Sequence, residues 1–276
     1  MSAPPTFSVI IPCVRGGSPL VEAVGSVLSQ TCTDWELIIV DNGVAGGVDL
    51  PSTAGGSVRV LSEARPGASW ARNRALHEAR GLYAAFLDED DRWLPGKLER
   101  QLAVLEGGTE AAHTQFEIID WDGQLLGPGY GRPSAYRDLL VARDSYAFSS
   151  VAVSRDLVLA IGGFDTTYPA ANDFQLMLRL LRWTEMSFVE ETLVQYRVHA
   201  GSLSYGYWRQ CRHALRALAD ERQTCRGEGE WGDWLRTWRG TAALRTGYSE
   251  VALHRASASW AAGSPGSEAA RHLLSA

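Results

Sequence analysis

The chain has 276 residues, of which 45% are hydrophobic, 9% aromatic and 21% charged, and this composition excludes a disordered or collagen-like protein. Its 26 basic and 32 acidic residues give a net charge of −6, which argues against a nonspecific nucleic-acid or anionic-membrane binder because neither polyanion would attract it at long range. No apolar run approaches the roughly 18 residues that span a bilayer and the start lacks the features of a signal peptide, so we predict a cytoplasmic protein with no transmembrane segment and no nucleic-acid partner.

The first hundred residues alternate short apolar runs with amphipathic helical patterns, which predicts a parallel sheet covered by helices. The first strand is predicted over Phe7–Ile11 and is expected to end at Pro12. Ser18 and Pro19 are expected to open the helix that follows. The remaining elements of this part are strands over Trp35–Val40, Val58–Leu61 and Tyr83–Leu87 and a helix around Trp70–Ala79.

After Pro95, which is expected to open a helix that runs to Leu105, the pattern becomes mixed. The predicted elements here are a hairpin of His113–Ile119 with Gln124–Leu126, a strand over Ser149–Val153 and a helix over Phe174–Leu181. From about Tyr205 the pattern predicts tryptophan-rich helices without strands. We therefore predict a first domain over 1–204 and a helical region over 205–276. That region would cover an acceptor or form a homodimer, with ordinary core packing of its tryptophans as the alternative.

Four consecutive acids, Asp88–Asp91, follow directly on the buried strand that ends at Leu87. Ligands of open α/β sheets bind beyond the carboxyl ends of the strands, so these acids stand where a substrate is expected. Clustered carboxylates repel one another unless a positive charge neutralises them, and Mg²⁺ or Mn²⁺ would do so while sharing a diphosphate ligand. A solvated acidic turn that opens the next helix is the alternative.

A series of short motifs in this chain resembles the family 2 glycosyltransferases. The motifs are Ser8–Pro12, Ser26–Thr31, Trp35–Asp41, Ala71–Asn73, Phe86–Asp91, Gly162–Asp165, Asn172–Asp173 and Tyr196–His199. They stand in the order of that family and cover roughly residues 6 to 204. The resemblance implies an α/β protein of the GT-A fold, with a mainly parallel nucleotide-binding sheet flanked by helices and a helical C-terminal appendage.

The resemblance also implies roles for the residues of the donor site. Asp88-Glu89-Asp90 would be the DxD motif, with Asp90 as the principal ligand of Mn²⁺ or Mg²⁺ and Asp88 close to the ribose or sharing the metal. Asp41 is similar to the acid that binds the edge of the nucleobase. The alternative is that Asp41 is an acid of a loop at the core, with no contact to the ligand. The segment that would line the same nucleotide cleft consists of Pro12, Cys13, Val14 and Arg15.

Asp173 resembles the catalytic base of the family, and the chemistry requires one, because an acceptor hydroxyl must lose its proton as it displaces the diphosphate. A helix N-cap is the alternative role for Asp173. Arg197 and His199 resemble the late loop that closes over the diphosphate, with His199 as a further metal ligand. Arg65 and Arg72 are further candidates for contacts with the ligand, or else surface charges.

Three departures from the family pattern leave the identity of the nucleobase open: Cys13-Val14-Arg15 stands where hydroxyl and aromatic side chains are usual, Asn42 replaces a common acid, and Val44-Ala45 replaces small polar residues. Asn172 also stands where an acid often precedes the catalytic base, which weakens a paired-acid motif but leaves Asp173 available. We predict an inverting, metal-dependent glycosyltransferase that uses a nucleoside diphosphate sugar, most simply a UDP-sugar, in bacterial polysaccharide or natural-product biosynthesis. The alternatives are a sugar nucleotidyltransferase, which would release pyrophosphate, and a sugar-nucleotide-binding protein without turnover.

Overall fold

The computed structural model describes residues 3–48, 58–142, 146–198 and 207–261. The strands are β1 Phe7–Cys13, β2 Trp35–Asp41, β3 Val58–Ser62, β4 Tyr83–Phe86, β5 Arg92–Trp93, β6 Ala111–Ile119, β7 Leu125–Pro128, β8 Ala152–Ser154 and β9 Met186–Arg197. The helices are α1 Gly17–Leu28, α2 Ala68–Glu78, α3 Lys97–Leu105, α4 Tyr136–Leu140, α5 Arg155–Ala160, α6 Asn172–Leu180, α7 Tyr207–Gly227 and α8 Trp231–Ala261.

The strands form one mixed sheet in the order β3-β2-β1-β4-β8-β6-β9-β5, with β7 paired to β6. β1 to β4 are mutually parallel, β6 and β9 are also a parallel pair, and β8 joins the two groups in antiparallel fashion. Helices α1 and α3 contribute buried side chains to the main core, and α2 packs on β1 and β2. The predicted α/β class, with a mainly parallel sheet flanked by helices, is confirmed.

The core follows the two-residue period of the strands. Val9 and Ile11 of β1 join Leu20 and Val24 of α1 in one fully buried cluster, because alternate side chains of a strand face the same side of the sheet. The other face of β1 holds residues such as Ile10, which are equally buried. Strands buried on both faces carry unbroken apolar runs, which is why the sequence pattern identified them.

Several predicted ends of elements were wrong: the strand predicted over Ser149–Val153 begins only at Ala152, the helix predicted from Pro95 begins at Lys97, and the end of β1 and the start of α1 also differ. β1 continues through Pro12 to Cys13. Pro12 has no N–H to donate, but it lies beyond the residues of β1 that pair with β4, so its missing N–H leaves no gap in the β1–β4 ladder, while β1 is still paired with β2 there. α1 begins at Gly17, one residue ahead of Ser18, which was expected to open it, and Gly16 before it adopts a φ of 66° that favours glycine.

The chain forms two compact units, one of Met1–Tyr136 with Asp144–His199 and the other of Arg137–Arg143 with Ala200–Ala276. The predicted boundary at 204/205 falls outside the described residues, and the second unit includes a segment around α4 that sequence analysis assigned to the first domain. Within this unit α7 packs on α8. Gly240 of α8 lies against the carbonyl oxygen of Leu140, and a Cβ at this position would overlap it. None of the helices in the described ranges is long and apolar enough to cross a bilayer.

Candidate functional site

The predicted site residues of three strands meet at one edge of the sheet. Cys13 ends β1 and is in register with Asp41, which ends the parallel strand β2. The acidic loop Asp88–Asp91 follows β4, the other parallel neighbour of β1. Because parallel strands deliver their carboxyl ends to the same edge, the fold brings these segments together.

Glu89, the middle residue of the acidic motif, is directed back toward the loop after β1. Its buried carboxylate accepts hydrogen bonds from the backbone N–H groups of Val14 at 3.3 Å, Arg15 at 3.1 Å and Gly16 at 3.0 Å. The thiol of Cys13 lies 3.0 Å from the same carboxylate. Burial, together with the hydrogen bond to Glu89, raises the pKa of the Cys13 thiol. The structure therefore makes Glu89 the anchor of the predicted nucleotide loop rather than a residue facing the ligand.

The arginine of that loop approaches the acid on the open side of the motif. Arg15 Nη2 lies 3.9 Å from Asp90 Oδ2, and the two side chains are 41% and 18% exposed. Val14 is 47% exposed, whereas Pro12 is buried within β1. Arg15, Val14 and Asp90 are thus the exposed members of this group.

Arg72 of α2 joins the acidic loop to the start of α6. Its guanidinium donates to Asp88 Oδ1 at 2.5 Å and to Asn172 Oδ1 at 2.9 Å. It also lies over the rings of Phe148 and Phe164, 4.8 and 5.4 Å from their centroids. The side chain of Arg72 is only 5% exposed, so its position is fixed by these contacts.

Asp173, the predicted catalytic base, stands in the first turn of α6. The helix begins after Ala171, which has a left-handed backbone with a φ of 51°, so the alternative role of Asp173 as the N-cap was wrong. Asp173 Oδ1 accepts from the N–H of Phe174 at 2.8 Å. Burial raises the pKa of Asp173, and the charge of Asp88 raises it further, while that N–H and the charge of Arg72 oppose the rise. A carboxylate with a raised pKa is better suited to accept a proton.

Ser149 bonds two residues of the acidic loop, and the sequence analysis did not identify it as a residue of the site. Its hydroxyl donates to Asp91 Oδ2 at 2.5 Å and accepts from the backbone N–H of Asp88 at 3.1 Å. The carbonyl oxygen of Ser149 accepts from the indole of Trp93 at 2.8 Å. Burial and the neighbouring charges of Asp90 and Asp88 raise the pKa of Asp91 well above its ordinary value. A lone serine carries no pattern that would have distinguished it.

Arg197 does not have the position predicted for it. Its side chain is 1% exposed, and Nη2 donates to Glu22 Oε2 at 2.6 Å while Nε donates to the carbonyl oxygen of Asp90 at 2.7 Å. Its Nη1 reaches the carbonyl oxygens of Asp120 and Trp121. The predicted direct contact with a diphosphate does not fit this arrangement, because the guanidinium is enclosed by protein oxygens. Arg197 instead stabilises the acidic loop through its hydrogen bond to the carbonyl oxygen of Asp90.

Asp41 and Asn42 shape the loops at the end of β2. Asp41 Oδ1 accepts from the N–H groups of Gly43 at 3.0 Å and Val44 at 2.9 Å, and the side chain remains partly exposed. Asn42 is buried and its amide bonds the backbone of the next loop, including the carbonyl oxygen of Arg65 at 2.7 Å. The amide in place of an acid thus has a structural use, and Asp41 keeps a position at the edge of the sheet.

Arg65, another predicted ligand contact, is already held by a carboxylate. Its guanidinium donates to both oxygens of Glu63, at 2.8 and 2.7 Å, and lies 3.8 Å from the centroid of the Trp70 ring. The hydrogen bonds from Arg65 lower the pKa of Glu63 to about 2. The side chain of Arg65 is 59% exposed, and the pair with Glu63 engages Nε and Nη2, so the Nη1 group is the part of the guanidinium that can meet a ligand.

Asp88 and Asp90, the predicted metal ligands, keep 35% and 18% of their side chains exposed. Within the described residues, no three His, Cys, Asp or Glu side chains form a ready metal site. Mg²⁺ is ordinarily held by one or two carboxylates together with phosphate oxygens and water. This donor set therefore suits a cation shared with a diphosphate, not one enclosed by protein alone. His199, the third predicted ligand, lies outside the described residues.

Comparisons with known proteins place this arrangement in a family. The family model described as "Glycosyl transferase family 2" matches residues 8–150. TuaG of Bacillus subtilis, named for teichuronic acid biosynthesis, is 30% identical over 217 residues, covering 75% of this chain and 85% of TuaG. WfgD of Escherichia coli, a UDP-Glc:alpha-D-GlcNAc-diphosphoundecaprenol beta-1,3-glucosyltransferase, is 25% identical, covering 77% of this chain and 85% of WfgD.

The solved structures agree on the fold. S. aureus TarS 1-349 in complex with UDP-GlcNAc has a TM-score of 0.66 at 15% identity, covering 88% of this chain and 75% of that one, which confirms the predicted GT-A fold. Other matched proteins are longer, since the chain spans only 30% and 35% of two Rickettsia glycosyltransferases. Both the family model and the similarity to TuaG lead to one conclusion: the chain belongs to glycosyl transferase family 2.

Proposed function

We propose that this protein is an inverting, metal-dependent glycosyltransferase that moves a sugar from a nucleoside diphosphate donor to an acceptor hydroxyl. The observation that carries the proposal is the bridge made by Arg72, which bonds both Asp88 of the acidic loop and Asn172, the residue before Asp173. This bridge links the group proposed to hold the diphosphate with the group proposed to take the acceptor proton.

In the proposed reaction Asp173 is the general base. The acceptor hydroxyl gives its proton to the Asp173 carboxylate as its oxygen forms a bond to the anomeric carbon. The bond from that carbon to the diphosphate oxygen breaks in the same step, with its electron pair leaving on the nucleoside diphosphate. A single displacement of this kind inverts the anomeric centre, and the raised pKa of Asp173 favours the proton transfer.

Asp90 and Asp88 would hold Mg²⁺ or Mn²⁺ against the donor. When bound, the cation stabilises the negative charge that develops on the departing diphosphate. Arg15, exposed beside Asp90, adds a positive charge toward the phosphates, and Glu89 keeps the backbone of the Arg15 loop in place. Asp41 is proposed to bind the edge of the nucleobase.

The proposed donor is a UDP-sugar, and the relatives support this choice by their names. WfgD is named for a UDP-Glc donor, and the TarS structure holds UDP-GlcNAc. TuaG is named for the biosynthesis of a bacterial polymer, which supports a role in bacterial polysaccharide biosynthesis over a natural-product pathway. A cytoplasmic location belongs to the same proposal.

The test is release of UDP by the purified chain from a panel of UDP-sugars, with Mn²⁺, Mg²⁺ or EDTA, in the presence of candidate acceptors. We expect metal-dependent UDP release that Asp173→Asn abolishes while donor binding, followed by calorimetry, is retained. Asp156→Asn is the matched control, because Asp156 is an aspartate whose side chain is 83% exposed. Pyrophosphate as the product would favour a nucleotidyltransferase, and donor binding without product would favour a binding protein.

A further inference from the structure

In the part of helix α8 whose side chains are described, which ends at Gly247, large apolar side chains are exposed and small ones are buried. Trp231, Leu235 and Trp238 are 58%, 57% and 50% exposed. On the opposite side of the helix, Thr237 is fully buried and Gly240 lies in close contact with the rest of the unit. A helix of a globular protein ordinarily turns its apolar stripe inward, so this inversion calls for a partner outside the unit.

The exposed side chains lie on one face of the helix. Residues 231, 235 and 238 follow the i, i+4, i+7 spacing of a single helical face. The Trp234 ring connects them, with its centroid 6.0 Å from that of Trp231 and 6.1 Å from that of Trp238. We call these four residues, Trp231, Trp234, Leu235 and Trp238, the tryptophan face.

Charge is divided unevenly between the two units. The segments Arg137–Arg143 and Ala200–Ala276 contain 12 basic and 8 acidic residues, a net charge of +4, whereas the remaining 14 basic and 24 acidic residues give the first unit −10. The guanidinium of Arg222 lies 3.6 Å from the centroid of the Trp238 ring. Arg239, which follows Trp238 in the chain, is exposed. The second unit is therefore positively charged although the whole chain has a net charge of −6. The net charge of the whole chain thus does not exclude an anionic surface as the partner of this unit.

We propose that the tryptophan face docks on an anionic lipid bilayer, lying in the headgroup region without crossing it. Tryptophan is favoured at the membrane interface because its ring is apolar and its N–H is polar. Arginines beside such a face are attracted to anionic headgroups, as in other interfacial helices. The tryptophans supply the apolar contact and the charge of the second unit supplies the selectivity for acidic lipid.

A second copy of the chain fits this face less well. In a twofold contact the same face of both copies forms the interface, so the positive charges of Arg222 and Arg239 from both copies would be gathered in one interface. Like charges placed together in this way disfavour the contact, whereas an anionic bilayer neutralises them. The inference rests on the second unit alone and does not depend on the proposed catalytic chemistry.

The experiment is co-sedimentation of the full chain with phosphatidylcholine vesicles, prepared with and without phosphatidylglycerol. We expect binding only to the phosphatidylglycerol vesicles, accompanied by a blue shift of tryptophan emission and weakened by added salt. The double variant W231S/W238S should lose at least about tenfold in partitioning, and Arg239→Gln should lose part of it. Leu235→Ser tests the face with a smaller change should the double variant fail to fold.

Trp183→Ser is the matched control, because Trp183 is 72% exposed but belongs to the first unit. This variant should bind vesicles like the parent chain. The proposal is overturned if the parent binds neither vesicle, if it binds both equally, or if Trp183→Ser loses as much binding as the variants of the face. A dimer that forms in solution and is lost in W231S/W238S would also overturn it, in favour of a second copy.

Discussion

Arg72 and Asp88 form a short ion pair, with the guanidinium 2.5 Å from Asp88 Oδ1, and the arginine side of that pair is almost fully buried. The same guanidinium reaches Asn172 at the start of α6. One side chain therefore sets the separation between the acidic loop and the helix that carries Asp173. In a site of this kind small displacements are expected to cost much activity, because the reacting groups must be held in line.

Replacing Arg72 by lysine should uncouple the two sides of the site. Lysine keeps the charge but has a single nitrogen, so it cannot reproduce the two directed contacts to Asp88 and Asn172. We expect kcat for UDP release to fall by about ten- to a hundredfold with a smaller change in donor affinity. Arg74→Lys is the control, since Arg74 is on the same helix but 43% exposed. Equal activity of the Arg72→Lys variant and the parent would refute the bridge.

The pH dependence of transfer should report the raised pKa of Asp173. A base must be deprotonated to act, so kcat should fall as pH drops through a value above the ordinary aspartate pKa of 3.8. The same raised pKa means that ionised Asp173 costs the folded state free energy at neutral pH, because the charged form is disfavoured on folding. Asp173→Asn should therefore be inactive yet at least as stable as the parent on thermal unfolding. A rate that stays constant down to pH 3.8 in a protein that remains folded would rule out this base.

Ser149→Ala should destabilise the acidic loop, because the Ser149 hydroxyl bonds two of its residues. The substitution removes a donor from buried Asp91 and an acceptor from the N–H of Asp88, so we expect a loss of about 1–3 kcal/mol in the free energy of unfolding. Affinity for UDP with Mn²⁺ should fall as well. Ser150→Ala provides the comparison, because the buried hydroxyl of Ser150 bonds only the turn carbonyl of Ala147 among its described contacts. If both serine variants behave alike, Ser149 has no special connection with the site.

Glu89→Gln should loosen the loop after β1 and expose the chemistry of Cys13. The amide carries no charge, so it holds the N–H groups of Val14, Arg15 and Gly16 less strongly. Loss of the Glu89 charge and hydrogen bond should also lower the pKa of the Cys13 thiol from its raised value. Mass spectrometry should detect faster alkylation of Cys13 in the variant, with Cys32 as the internal reference. An unchanged ratio of the two alkylation rates would show that Glu89 does not control this loop.

The fold was predictable where the signal was local. Buried parallel strands carry unbroken apolar runs, so Trp35–Val40 and Tyr83–Leu87 were found within one residue of their observed ends. The end of β1 was not, because whether Pro12 interrupts a strand depends on which neighbours pair with it there. The start of α1 also differed, and Gly16 before it has a positive φ that the sequence does not reveal.

The site was predictable in its residue types and less so in the direction of its side chains. The acidic motif lies at the expected edge of the sheet, but Glu89 turns inward to bond backbone N–H groups. Arg197 looked like a phosphate ligand because arginine is a good one, whereas its burial against Glu22 depends on a residue 175 positions away. Ser149 contributes through a contact 58 residues distant in the chain. Such long-range partners are set by tertiary packing, and a single sequence carries no record of them.

The central claim is that the acids after β4 hold a divalent cation that in turn holds the diphosphate of the donor. Calorimetry of UDP binding with and without Mn²⁺ tests it directly, in the parent chain, in Asp90→Asn and in the exposed control Asp156→Asn. We predict that Mn²⁺ strengthens UDP binding to the parent and the control, and that Asp90→Asn loses that gain by at least about tenfold. The same gain from Mn²⁺ in Asp90→Asn as in the parent would contradict the account.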